Sequence, residues 1–211
     1  MIREILVAAV LLASLVPASA QTVTFGEATP GALPKTFVSA LTGRGKEGRW
    51  EVVEDKTASG GRALAQLSAD ETDYRFPLAI YEPTIPANVE VTTRFKAISG
   101  KVDQAGGLVV RLADPNNYYV TRANALENNV RFYRVVAGKR EQLAGANTQV
   151  TGNEWHTLTL HAEGDRFTVS YDGKQLFTAT DKTFSQAGKV ALWTKADSVT
   201  RFDRLEIKPL Q

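Results

Sequence analysis

The 211-residue chain contains no cysteine. That excludes disulfides, thiol nucleophiles and thiolate metal sites, so the fold must rest on core burial alone. Histidine is nearly absent as well. His156 and His161 are the two in the chain, too few for a His-rich zinc centre. Neither sign of charge dominates: 25 Lys and Arg stand against 23 Asp and Glu, a net +2. Nothing in that balance is the basic footprint of a nucleic-acid binder. Long segments with a 3.6-residue apolar period are missing, which argues against helices. Long apolar runs are missing too, with one exception near the start.

The exception is Ile5 to Val16, interrupted only by Ser14. Arg3 precedes it, beside Glu4. Pro17 follows, and Ala18-Ser19-Ala20 is the small-x-small pattern cut by a signal peptidase. The run is short of the roughly 20 residues that a spanning helix needs, so a cleaved signal is preferred to an anchor. Lipidation there would require a Cys. Residues 1–20 are therefore expected to be a signal peptide and 21–211 one domain, exported to the periplasm or beyond and free of the membrane after cleavage.

What the remaining chain has is short period-2 runs, separated by Gly, Asn, Asp and Pro about every 8–12 residues. This is the pattern of an all-β sandwich or barrel. Gln21 to Gly48 is the least regular part and reads as an extended lead-in, with Thr22 to Phe25 at a sheet edge. Strands are expected at Trp50–Asp55, Arg62–Ser68, Leu78–Glu82, Asn88–Ala97, Gly107–Ala113, Tyr118–Asn124, Val130–Val136 and Arg140–Ala144. A meander follows at Trp155–Ala162, Arg166–Tyr171 and Gln175–Ala179, with Asp172-Gly173 as a tight hairpin turn. The last two strands are Val190–Lys195 and Val199–Lys208. There is no internal repeat and no linker.

Side-chain alternation along these strands collects an unusual face. Leu108, Val110 and Leu112 take the core, which sends Arg111 outward. Val130 and Phe132 take it in the next pair, which sends Asn129, Arg131 and Tyr133 outward. In Tyr118 to Asn124 both faces are partly apolar; Arg122 and Asn124 are assigned to the polar side and Tyr119 to the core. Near the C-terminus Trp193, Lys195 and Asp197 share a side opposite Val190 and Leu192. Arg111, Arg122, Asn124, Arg131, Tyr133, Trp193, Lys195 and Asp197 are the candidate ligand contacts. Aromatic rings offer platforms to the C–H face of a sugar, while Arg and Asn offer fixed donors and acceptors to hydroxyls. The excess of cations points to an acidic or sulfated glycan. Cross-strand pairing can also account for such residues without any ligand.

Catalytic signals are weaker. Glycoside hydrolysis needs two placed carboxylates, and no Glu-x-Asp-x-Glu run occurs on a strand. Asp197 and Glu127 are the candidates on the expected face. His156 shares a side with Leu158 and Leu160 and reads as a core residue; His161 faces solvent. Asp114-Pro-Asn-Asn and the Glu54 to Gly61 loop carry oxygen donors for Ca²⁺, without the ordered spacing of a calcium loop. No cofactor is expected.

The segments GLVVRLADPNNYYVTRANALENNVRFYRV, WHTLTLHAEGDRFTVSYDGKQLF and GKVALWTKADSVTRFDRLEI resemble the concanavalin A-like lectin/glucanase superfamily. The chain is similar in particular to exported bacterial domains related to the LamG-like and 3-keto-disaccharide hydrolase (DUF1080-type) families, over residues 45–209. The resemblance implies a jelly-roll sandwich of two antiparallel sheets with ligands on the concave sheet. The paired acidic motif of the glucanases and the metal cluster of legume lectins are not recognisable. The expected function is thus an exported, lectin-like carbohydrate-binding domain. The alternatives are a glycoside- or 3-keto-glycoside-cleaving enzyme on the same face, or a periplasmic protein-interaction module.

Overall fold

The computed structural model describes residues 19–210. Apart from Ser19 and Ala20, the expected signal segment lies outside the described residues. Among those described there is no helix, and hence none long and apolar enough to cross a membrane. Fifteen strands are present: β1 (Gln21–Thr24), β2 (Phe37–Gly43), β3 (Trp50–Glu54), β4 (Arg62–Gln66), β5 (Arg75–Ile85), β6 (Val89–Ser99), β7 (Ala105–Asp114), β8 (Asn117–Asn124), β9 (Asn129–Val136), β10 (Lys139–Asn147), β11 (His156–Glu163), β12 (Arg166–Tyr171), β13 (Lys174–Thr180), β14 (Gly188–Trp193) and β15 (Val199–Pro209).

They form two antiparallel sheets. One runs β13-β12-β11-β6-β15-β4-β3, with β1 paired to the end of β15; the other runs β10-β9-β8-β7-β14-β5-β2. The main core lies between them. Val91, Phe95, Leu158, Leu160, Phe167, Val169 and Phe202 of the first sheet meet Leu108, Val110, Tyr119, Phe132, Val190 and Leu192 of the second. Each of these strands alternates apolar with other residues, so one face enters the core.

The second sheet also carries an apolar cluster on its outer face. Phe76, Leu78, Val109, Tyr118, Val120, Tyr133, Val135, Ala191 and Trp193 form it, all from this one sheet and all out of phase with the core residues. This explains why Tyr118 to Asn124 reads as apolar on both sides. Tyr119 points to the core, as the alternation predicts, while Tyr118 and Val120 join the outer cluster.

Two departures from the sequence reading have local causes. Phe37–Gly43, assigned to the lead-in, is an edge strand paired with β5; its Gly and Pro neighbours obscured the short alternation. In β7 the alternation breaks at Arg111, which adopts φ 51°, and the pairing shifts register against both neighbours there. This is a β-bulge, and it reverses the facing of every later residue. Leu112 consequently joins the outer cluster, and Arg111 does not face outward with it.

Candidate functional site

The outer face of the β10–β2 sheet is laid out in rows by the strand register. In one row Trp193 lies beside Gly107, Gly107 beside Arg122, Arg122 beside Arg131, and Arg131 beside Gly145. In the row on one side stand Val109, Val120, Tyr133 and Gln142; on the other stand Ala105, Asn124, Asn129 and Asn147. Gly107 matters because a Cβ there would sit 2.7 Å from the Thr121 carbonyl and 3.2 Å from the Trp193 ring. Its bare backbone allows the indole and the base of Arg122 to approach across β7.

Arg122 and Arg131 are directly opposed, an unfavourable pairing unless the charges are drawn apart. Arg122 turns to the β8–β9 turn. It donates to Glu127 Oε2 at 2.7 Å, to Tyr133 Oη at 3.1 Å, and to Asn129 Oδ1. Arg131 turns the other way, across Gly145, and donates to the Ala146 carbonyl and Asn147 Oδ1, each at 2.7 Å.

The turn itself is organised by Asn124, whose Oδ1 accepts from the backbone N–H groups of Leu126 and Glu127. The Asn124 amide donates to Asp103 Oδ1 at 2.6 Å, and Lys195 Nζ lies 2.6 Å from Asp103 Oδ2. Asp103, Arg122, Asn124, Glu127, Asn129, Tyr133 and Lys195 thus form one polar constellation. Arg122, Asn124, Asn129 and Tyr133 are buried, while Glu127 and Lys195 reach toward solvent. A groove of about 660 Å³, lined by Ala125, Asn128 and Asn147 to Gly152, adjoins it.

The two carboxylates experience different surroundings. Burial raises the Asp103 carboxyl against the pull of Lys195. Burial also acts to raise Glu127, but Arg122, Asn129 and Lys195 outweigh it and hold that carboxyl below its usual range.

With this geometry in place, the likeness to known proteins is informative. Residues 84–210 match the galactocerebrosidase C-terminal lectin domain family. The chain belongs to this family. Its fold, a sandwich of two antiparallel sheets, also resembles that of solved structures at low identity. The carbohydrate-binding module CBM66 from Bacillus subtilis superposes with a TM-score of 0.64 at 20% identity, over 82% of this chain and 97% of that one. The Bacillus licheniformis β-glucanase gives 0.60 at 12% identity, over 92% and 100%. The levanase of Bacillus subtilis (strain 168) is 27% identical over 154 residues. Those residues are 71% of this chain and 20% of the levanase, so the chain spans about a fifth of that relative.

Within this lectin-like domain, Arg122, Asn124, Tyr133 and Lys195 come together with Glu127, and Arg131 shares their face but turns away toward Ala146 and Asn147, while three other expected contacts behave differently. Arg111 is buried, and the bulge sends its guanidinium across Phe167 to the carbonyls of Ala87, Phe184 and Gly164 at 3.0, 2.8 and 2.7 Å. It is a strap between loops at another part of the sandwich. Asp197 is buried and accepts the backbone N–H groups of Lys101, Val102 and Asp103, which holds its carboxyl low despite burial. It anchors the β6–β7 loop. Trp193 has no exposed surface and stacks on Phe76 at 5.3 Å, so it is the floor of the face and not an open platform.

Asn129, sent outward by alternation, is not among the expected contacts, and neither are Asp103 and Arg140. Alternation can also find Arg140, but Asp103 lies in a loop with no periodic signal. His156 is buried as expected, with its ring nitrogens 2.8 Å from Asp172 Oδ2 and 3.0 Å from the Thr151 carbonyl. Asp114 caps its own turn, and Asp55 pairs with Lys96 and Arg201. Among the described residues no three His, Asp or Glu side chains converge to hold a metal ion.

Proposed function

We propose that this domain binds a carbohydrate on the outer face of the β10–β2 sheet, centred on Arg122, Glu127, Asn129 and Tyr133, and that it acts after export through its N-terminal segment. The supporting observation is the preorganised constellation itself. Arg122 is held by three neighbours, so its donors and those of Asn129, with the acceptors of Glu127, are fixed before any ligand arrives. Alternating donors and acceptors at fixed spacing suit the hydroxyls of a sugar. Family membership and the likeness to a carbohydrate-binding module support the same reading.

Hydrolysis fits this face less well. A glycosidase acid needs a raised carboxyl open to substrate. The raised carboxyl, Asp103, is buried under Lys195 and Asn124, while the exposed one, Glu127, is depressed. Asp197, the other catalytic candidate, is committed to three backbone amides.

The test is a glycan array followed by calorimetric titration of the best hit. Wild type is expected to bind, and Arg122→Gln and Glu127→Gln to lose binding at least tenfold, Glu127→Gln with little change in melting and Arg122→Gln with a lower melting temperature, because it gives up the hydrogen bonds of a buried guanidinium. No glycan signal from wild type, or normal binding by both variants, refutes the reading. Export is tested by the intact mass of protein recovered outside the cytoplasm, which should lack residues 1–20.

A further inference from the structure

The cations of the outer face are not equally satisfied. Arg122 pairs with Glu127 and Lys195 with Asp103. Arg131 is held by carbonyl and amide oxygens. Arg140, which lies beside Val135 in the register, has none of these partners. Its guanidinium lies over the aromatic floor, with Cζ 4.3 Å from the ring centre of Tyr133, 4.7 Å from that of Phe76 and 5.9 Å from that of Trp193. Its Nη1 is buried without a hydrogen-bond partner, and it joins none of the ion pairs among the described residues.

An arginine cannot shed its proton to escape such a position. Attraction to the rings compensates lost hydration only in part. The group therefore waits for an acceptor. One feature ties that acceptor to the glycan site: Tyr133 bridges the two arginines, with its hydroxyl on Arg122 and its ring under Arg140. Arg140 also borders a groove of about 690 Å³ at the β9–β10 turn, where Glu141 is already paired with Arg134 and Lys139 joins none of the ion pairs among the described residues.

We propose that Arg140 receives an anionic substituent, a carboxylate or a sulfate, on the sugar bound at this face, so that the preferred ligands are acidic glycans. This rests on the carbohydrate-binding reading above. It also moves the expected preference for acidic ligands to a different residue, because Arg122 and Lys195 already have counter-charges. The planar fork of Arg140 suits a bidentate contact with either anion.

The experiment titrates wild type, Arg140→Gln, Arg140→Lys and Arg122→Gln with four probes. These are trigalacturonic acid and its methyl ester, and a sulfated galactan oligosaccharide and its desulfated product. Wild type should bind at least one acidic probe about tenfold or more tightly than its neutral counterpart, and which pair separates distinguishes carboxylate from sulfate. Arg140→Gln should bring the two members of that pair to equal affinity, Arg140→Lys should retain part of the difference, and Arg122→Gln should weaken both members. Equal binding of acidic and neutral probes by wild type overturns the proposal. So does a preference that survives in Arg140→Gln, which would make Arg140 a packing clamp visible only as a fall in melting temperature. If neutral glycans alone bind, and Arg122→Gln abolishes that binding, the carbohydrate site stands and the acidic preference falls. If no glycan binds wild type in the probes or on an array, both fall.

Discussion

Trp193→Ala separates two roles that an aromatic residue can play on a lectin face. A ring that serves as an open platform can be removed with little effect on stability. Trp193 is instead fully buried, stacked on Phe76 with their planes 17° apart, and meets Arg140 across the outer cluster. Deleting a buried Trp side chain costs about 3–5 kcal/mol in transfer and cavity terms. In a domain of this size each kcal/mol moves the midpoint by about 2–4 °C, so the melting temperature should fall by roughly 10 °C. The assay is thermal denaturation followed by circular dichroism, with Trp193→Phe as a milder companion that keeps a ring over Phe76. Arg140 and Tyr133 lose their floor in the alanine variant, so glycan affinity should fall as a secondary effect. A midpoint within 2 °C of wild type, with binding abolished, would refute this reasoning and restore Trp193 as a direct platform.

Asp197→Asn should destabilise by about 1.5–3 kcal/mol, because a charged acceptor of three backbone N–H groups is replaced by a neutral one; amide exchange at Lys101 to Asp103 should quicken, and unchanged protection there would count against the anchoring role. Gly106→Ala places a Cβ 2.5 Å from the buried Phe95 ring and should cost about 1–3 kcal/mol by overpacking, read in urea denaturation. Asp55, Asp181, Asp197 and Asp203 are all held below the usual carboxylate range in the fold, against burial, by their hydrogen-bond and ion-pair partners. Their stabilisation is complete above the unfolded value near 4 and is lost as pH falls through the depressed folded values, so the melting temperature should drop steadily below about pH 4. A flat profile from pH 6 to pH 2.5 would contradict those contacts.

The sandwich was readable because each strand needs one apolar side, and period-2 runs such as Val89-Val91-Thr93-Phe95 declare it directly. The same alternation placed Arg122, Asn124, Arg131 and Tyr133 on a shared outer side. It failed where alternation itself fails. The bulge at Arg111 inverts β7 within one residue, and no composition signal marks it. Alternation also says nothing about depth: it put Trp193 on the outer side but could not show that Phe76 and Arg140 bury it there. Asp103 and Asp197 act from loops, where sequence separation hides their partners. Asp103 meets Asn124 and Lys195, and Asp197 meets the amides of residues 101–103.

The pairing of β1 with β15 governs how the domain answers mechanical load. Gln21, the first residue of β1, lies opposite Ile207 near the end of β15, and the ladder runs from there to Thr24 opposite Arg204. Tension applied between these two strand ends acts across the ladder at its outermost rung. The rungs then part singly, as in a zipper, rather than sharing the force as they would in shear. β1 is therefore the first element to peel under pull, while the β15–β6 and β15–β4 pairings beneath it remain closed.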